Sequence, residues 1–89
     1  MYFTYVLSCS LNKNNEFYIG YTENLDERVK KHQNHEVKTT KKFDKIKLVY
    51  YEACLSKTDA RKRELQLKTG FGRGYLKRRL ENDKNLLRR

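Results

Sequence analysis

The 89 residues are 37% hydrophobic and 36% charged, with no proline and no tryptophan, a balance that fits a single domain over residues 1–89 with a small but sufficient core. No apolar run approaches the roughly 20 residues of a membrane span, and the N-terminus lacks the charged head and apolar stretch of a signal peptide. The expectation is therefore a cytoplasmic chain with no membrane partner. Its two cysteines, Cys9 and Cys54, have neither C-x-x-C nor zinc-finger spacing and read as small, half-buried thiols of a reducing compartment.

The net charge of +10 is unevenly placed. Residues 57–89 hold twelve Lys/Arg against four Asp/Glu, a net of +8, which leaves +2 for the first 56 residues. Such asymmetry points to a polyanion, because each neutralised phosphate releases condensed counterions. The alternative is a basic surface that only keeps the protein soluble.

In chain order, Tyr2-Phe3-Thr4-Tyr5-Val6-Leu7 is aromatic and β-branched, and its near-continuous apolarity suits a central strand. Leu11-Asn12-Lys13-Asn14-Asn15 is turn-rich, and Glu16 to Tyr21 returns as the second strand of a hairpin, breaking at Gly20. Asn24 is an N-cap for a helix from Leu25 to Gln33, with Glu27 placed to reach back to the cap's own N–H. Asn34 to Asp44 has no clear period and reads as a loop carrying Lys38, Lys41 and Lys42 beside Thr39 and Thr40. Its His35 reads as a solvated histidine. Lys45 to Ala53 is the third strand. Ser56 caps a second helix to about Thr69, with Asp59 at its third position and Gly70 as a left-handed stop. Gly72 and Gly74 flank Arg73 in a short connection. A last helix from about Tyr75 presents Leu76, Leu80 and Leu87, with Lys77, Arg78 and Arg79 outward. The order β-β-α-β-α-α predicts an α/β (α+β) fold, a small three-stranded antiparallel sheet flanked by helices.

Three side chains break the helical pattern. With Leu25 as origin, His32 falls at about −20° and Arg28 at about −60°, so both lie at the margin of the face that must be buried. With Ala60 as origin, Glu64 falls at about +40°, inside the apolar stripe. A glutamate is rarely buried without a partner. Glu64 either pairs with an arginine at the edge of the core or holds a divalent cation, which one carboxylate and phosphate oxygens can share.

Tyr5, then Tyr18-Ile19-Gly20, then Arg28 with His32 four residues on, then Glu64 in a later helix resemble the motif series of the GIY-YIG nuclease superfamily, above all its small stand-alone bacterial members. The resemblance covers about residues 2 to 80. Phe3-Thr4-Tyr5 stands where Gly-Ile-Tyr would, with the tyrosine kept, and an asparagine found beyond the glutamate in some homing enzymes has no counterpart.

The resemblance implies a metal-dependent DNA endonuclease or nickase in repair or processing, acting on flaps, branches or nicks. A non-catalytic nucleic-acid-binding module on the same fold is the alternative, and a stress-response or ribosome-associated RNA binder rests on charge alone. By the same resemblance Glu64 anchors one Mg²⁺ or Mn²⁺, Arg28 forks onto phosphate oxygens, and Tyr5 or Tyr18 takes a proton from water with His32 as relay. No small-molecule cofactor is implied. These five residues are expected to converge on one concave face. Lys38, Lys41, Lys42, Arg73, Lys77, Arg78 and Arg79 would track the DNA backbone without reading sequence. Tyr2, Tyr50, Tyr51 and Tyr75 read as ordinary strand and core residues.

Overall fold

A computed structural model describes residues 1–82. Strands β1 (Tyr2–Leu11), β2 (Asn14–Thr22) and β3 (Lys45–Cys54) form one antiparallel sheet in the order β2-β1-β3, and helices α1 (Leu25–Gln33), α2 (Lys57–Leu67) and α3 (Gly70–Arg79) cover it. The apolar first strand is central, and residues 4–9 of it are all buried. It also runs four residues beyond Leu7, and the hairpin closes through Asn12 and Lys13 alone, Asn12 taking a φ of 58° that asparagine tolerates.

Side chains alternate across β1. Tyr5, Leu7 and Cys9 face one way and pack with Val29 of α1, Phe43 and Ile46. Val6 faces the other way and packs with Ile19, Leu67 of α2 and Leu76 of α3. Thus α1 covers one face of the sheet and α2 and α3 cover the other. Leu67 and Leu76 are completely buried, each stabilising the fold by about 1.5–3 kcal/mol. Cys9, expected half-buried, is wholly inside, and burial pushes its thiol up to about 11; Cys54 is partly buried and both thiols are free.

Helix α1 has the expected bounds, but its cap differs in detail. Asn24 Oδ1 accepts the Glu27 N–H at 3.2 Å, and the Asn24 N–H goes to Thr22 Oγ1 at 3.2 Å rather than to Glu27. Glu27 instead accepts from the Asn24 side-chain amide at 3.3 Å.

Two glycine expectations are corrected. Gly20 does not end β2, which continues to Thr22 with Gly20 paired to Tyr5. Gly70 is not a left-handed stop, since no described glycine has a positive φ. Helix α2 ends at Leu67, Thr69 caps α3 by accepting from the Gly72 N–H, and α3 starts at Gly70, so Gly72, Arg73 and Gly74 are helical. The reason is a close approach: a Cβ on Gly72 would lie 2.1 Å from the Leu67 carbonyl oxygen. Leu80 caps α3 and is half-buried, while Leu87 lies outside the described residues.

Candidate active site

The β1–β2 register sets Tyr5 opposite Gly20, and the missing side chain is what lets the Tyr5 ring lie across β2. A Cβ at Gly20 would meet the Tyr5 hydroxyl at 2.6 Å and its ring carbon Cζ at 2.8 Å. From α1, one turn apart, Arg28 and His32 close on that hydroxyl. Arg28 Nε donates to Tyr5 Oη at 3.3 Å, and Tyr5 Oη meets His32 Nε2 at 3.0 Å. The chain ends at Thr40, whose Oγ1 lies 2.7 Å from His32 Nδ1. Tyr18 completes the group, its ring centroid 4.9 Å from that of His32 and 6.3 Å from that of Tyr5.

Burial is graded through the cluster. Tyr5, His32 and Thr40 are sealed, whereas Tyr18 and Arg28 are partly open. Burial pulls the His32 ring down to about 4, with the Arg28 charge adding to the effect, so the imidazole is neutral at physiological pH. A neutral ring donates at one nitrogen and accepts at the other, so the Tyr5 and Thr40 hydroxyls take opposite parts. Burial also raises the Tyr5 phenol above its ordinary value, against the opposing pull of Arg28. Tyr5 is therefore a phenol in this state. Arg28 is held charged chiefly by its bond to Tyr5, and it interacts with the Tyr18 hydroxyl as well.

Glu64 reaches this group from the other side. It belongs to α2, which packs on the sheet face opposite α1. Tyr5, Tyr18, Arg28 and His32 share a face, while α2 lies along the end of β2, with the Arg61 guanidinium 5.5 Å over the Tyr21 ring. From there the Glu64 charge acts on Tyr5. Glu64 is 5% exposed, and its carboxylate is held by Arg61 Nη1 at 3.3 Å and by Nζ of the C-cap residue Lys68 at 2.8 Å. Both cations are about half exposed.

Among the described residues no three or more His, Cys, Asp or Glu come together in a set that could cage a metal ion. The donor set thus suits only a hard ion that takes one carboxylate, keeps several waters and shares phosphate oxygens, which is the habit of Mg²⁺. Glu64 fits that part, provided Arg61 and Lys68 swing aside.

The basic residues divide between two faces. Lys38, Lys41 and Lys42 are exposed on the loop that follows α1, pinned there by buried Val37, Thr40 and Phe43. Arg73, Lys77, Arg78 and Arg79 are exposed on α3, on the opposite face. His35 is exposed. Thr40 escaped the sequence reading because a hydroxyl in an aperiodic loop carries no pattern of its own. Its only trace is the spacing of three that places Val37, Thr40 and Phe43 inward.

The GIY-YIG catalytic domain family matches residues 1–80 of the chain. The chain belongs to the GIY-YIG nuclease family. Its relatives include UPF0213 proteins of Clostridium perfringens, 38% identical over 69 residues that cover 76% of this chain and 71% of the relative, and of Staphylococcus haemolyticus, 36% identical over 76% and 80%. A UPF0213 protein of Staphylococcus aureus is also 36% identical, with the same coverage. No solved structure matches the chain at a significant level. The GIY-YIG match spans Tyr5, Tyr18-Ile19-Gly20, Arg28, His32 and Glu64 in one stretch. Among the described residues no helix is long and apolar enough to cross a membrane.

Proposed function

We propose that this GIY-YIG domain is a divalent-metal-dependent DNA endonuclease or nickase that prefers branched, flapped or nicked DNA. The observation that carries the reading is the hydrogen-bonded chain Arg28–Tyr5–His32–Thr40, which fixes a partly open arginine on a buried tyrosine of β1 within electrostatic reach of Glu64. A domain that only bound nucleic acid would have no use for three buried polar groups locked to one another and to a partly open arginine.

The roles follow from exposure. Arg28, charged and partly open, forks onto phosphate oxygens in a way lysine cannot copy. Tyr18, partly open and in contact with Arg28, passes its own hydroxyl proton to solvent as its oxygen takes the proton of the attacking water. Tyr5 is sealed from solvent, so it orients Arg28 rather than meeting water itself. His32 donates through Nδ1 to Thr40, keeps its Nε2 lone pair for the Tyr5 hydroxyl, and so fixes the direction of the chain. Bound by Glu64, one Mg²⁺ or Mn²⁺ would neutralise phosphoryl oxygens and make a nearby water more acidic. Lys38, Lys41, Lys42, Arg73, Lys77, Arg78 and Arg79 hold the backbone by charge.

One observation favours a second reading. Both Glu64 oxygens already have cationic partners, as they would in a structural ion pair of a non-catalytic binder. Glu64→Gln decides between the two. On the nuclease reading, nicking of supercoiled plasmid and branched oligonucleotides, measured with Mg²⁺, Mn²⁺ or EDTA, falls by orders of magnitude, since each 1.4 kcal/mol of lost transition-state stabilisation is about tenfold. Metal-free DNA binding holds or tightens slightly. Arg28→Lys also loses cleavage while keeping its charge. A Glu64→Gln protein with a lowered melting temperature and undiminished nicking would end the metal-site reading.

A further inference from the structure

Helix α2 and its C-cap carry two sets of ion pairs of opposite build. In one, Arg63 is locked to Glu52 of β3. Its Nε reaches the two carboxylate oxygens at 3.0 and 3.1 Å and its Nη2 one of them at 2.9 Å, while the Tyr50 hydroxyl donates to the same carboxylate at 2.6 Å. Both partners are partly buried. This pair ties helix to sheet and is built to stay. The other set is Glu64 with Arg61 and Lys68. Glu64 is the one buried carboxylate among the described residues. Its side chain is 7% exposed, whereas those of Arg61 and Lys68 are 54% and 50% exposed. Arg61 offers one nitrogen to one oxygen, without the grip of Arg63, and Lys68 takes the other oxygen. Two mobile positive charges thus meet one fixed negative charge.

We propose that Arg61 and Lys68 are exchangeable partners of Glu64: they hold its carboxylate in the free protein, and leave it to a divalent cation as they pass to backbone phosphates of DNA. The proposal rests on the nuclease reading of Glu64 and adds two phosphate-binding residues and a coupling between metal and DNA. Three features carry it. Ion pairs made by exposed cations are worth little in water, so Arg61 and Lys68 are released at small cost, while the buried Glu64 stays in place. A divalent ion arriving beside both cations would meet two like charges, and their transfer to phosphate removes that repulsion. Each cation also has phosphate-binding neighbours. The Arg61 guanidinium lies 5.5 Å over the Tyr21 ring, which can keep it seated once Glu64 is given up. Tyr21 lines a cavity of about 300 Å³ together with Arg28 and Lys31. Lys68 lines a separate cleft that Arg73 of α3 also lines. One cation therefore borders the phosphate site of Arg28, and the other borders the basic group of α3. By linkage, metal and DNA then strengthen each other's binding by the same factor.

Two measurements test the exchange, and neither needs cleavage. In the first, Mn²⁺ binding by the free protein is followed through the electron paramagnetic resonance of the unbound ion. Arg61→Ala and Lys68→Ala each leave Glu64 one partner, and each should bind Mn²⁺ about fivefold more tightly than the wild type. Glu64→Gln should not bind it. In the second, affinity for a DNA duplex is measured in EDTA over a range of salt. Glu64→Gln frees both cations for phosphate, so its log–log slope should be steeper than that of the wild type by about one to two. Adding Arg61→Ala and Lys68→Ala to Glu64→Gln, a combination that buries no unpaired charge, should remove that gain. Melting curves show which variants are folded, and the slope comparison stands by itself should either single variant unfold. Mn²⁺ affinity no higher in both single variants overturns the proposal. So does a Glu64→Gln slope equal to that of the wild type, or a gain that survives the loss of Arg61 and Lys68. Plasmid nicking with Mg²⁺ by the wild type keeps the two readings apart. Nicking without either effect removes only the exchange. Both effects without nicking of any substrate remove the nuclease reading and leave the exchange standing.

Discussion

Burying an imidazole between two hydroxyls makes folding sensitive to acid. The folded His32 titrates near 4, and an unfolded histidine near 6.5. Between those values the unfolded chain binds a proton that the folded chain refuses. The His32 contribution is therefore fully present above about pH 6.5 and is lost as pH falls toward 4, by about 3 kcal/mol in all. Urea melts from pH 7.5 to 4 should show this loss in the wild type and a shallower slope in His32→Gln, whose side chain does not titrate. Parallel slopes for the two proteins would mean that His32 titrates alike in both states. His32, Arg28 and Glu64 were legible in the sequence because each violates the period of its helix. Thr40 violates nothing, and its contact with His32 exists only through the packing of its loop.

Helix ends show the same division between local and tertiary causes. Helix α1 closes with His35 in the left-handed region at φ 62°, its N–H bonded to the His32 carbonyl at 3.0 Å and the Glu36 N–H to the Lys31 carbonyl at 2.9 Å. That is the pattern of a helix terminator in which glycine is usual. A β-carbon there costs about 1–2 kcal/mol, of which glycine's greater freedom in the unfolded chain offsets roughly 0.4–1. His35→Gly should therefore raise the melting temperature by about 2–6 °C, and a lowered value would show that the exposed imidazole makes a contact worth more than the strain. The caps of α1 and α2 could be read from Asn24 and Ser56, since capping is a matter of neighbouring residues. The start of α3 could not. Three glycines within five residues argue against a helix by propensity, and only the approach of Gly72 to the Leu67 backbone explains why one forms there. Gly20 was misread for the same reason: its purpose is room for a ring from the neighbouring strand.

At the level of the whole molecule the strand order was legible, because the continuous apolarity of β1 demands cover on both faces. Which helix covers which face was not, since strand alternation fixes two faces without naming their occupants. The placement of Glu64 opposite α1 follows from that, as does the division of the basic residues. A duplex that touches both basic groups must cross an edge of the sheet. The affinity for such a duplex should fall linearly in log–log form with salt, with a slope magnitude of roughly 4–8 for five to nine phosphates neutralised. Arg78→Ala with Arg79→Ala should flatten it by about one to two, and replacing Lys41 and Lys42 should add a similar, independent decrement. If either pair leaves the slope untouched, that face does not meet DNA.

The central position of β1 also has a consequence in time. Its two partners are made far apart: β2 follows at once, but β3 begins only at Lys45. At roughly 5–20 residues per second of synthesis, the thirty-odd residues between Leu11 and Lys45 take about two to seven seconds. Through that interval the nascent hairpin shows an uncovered row of backbone groups along β1. Tyr5, Tyr18, Arg28 and His32 have all been made before β3 is, and Glu64 comes after it. A chain stalled before β3 would hold four of the five residues on a sheet that cannot close over them.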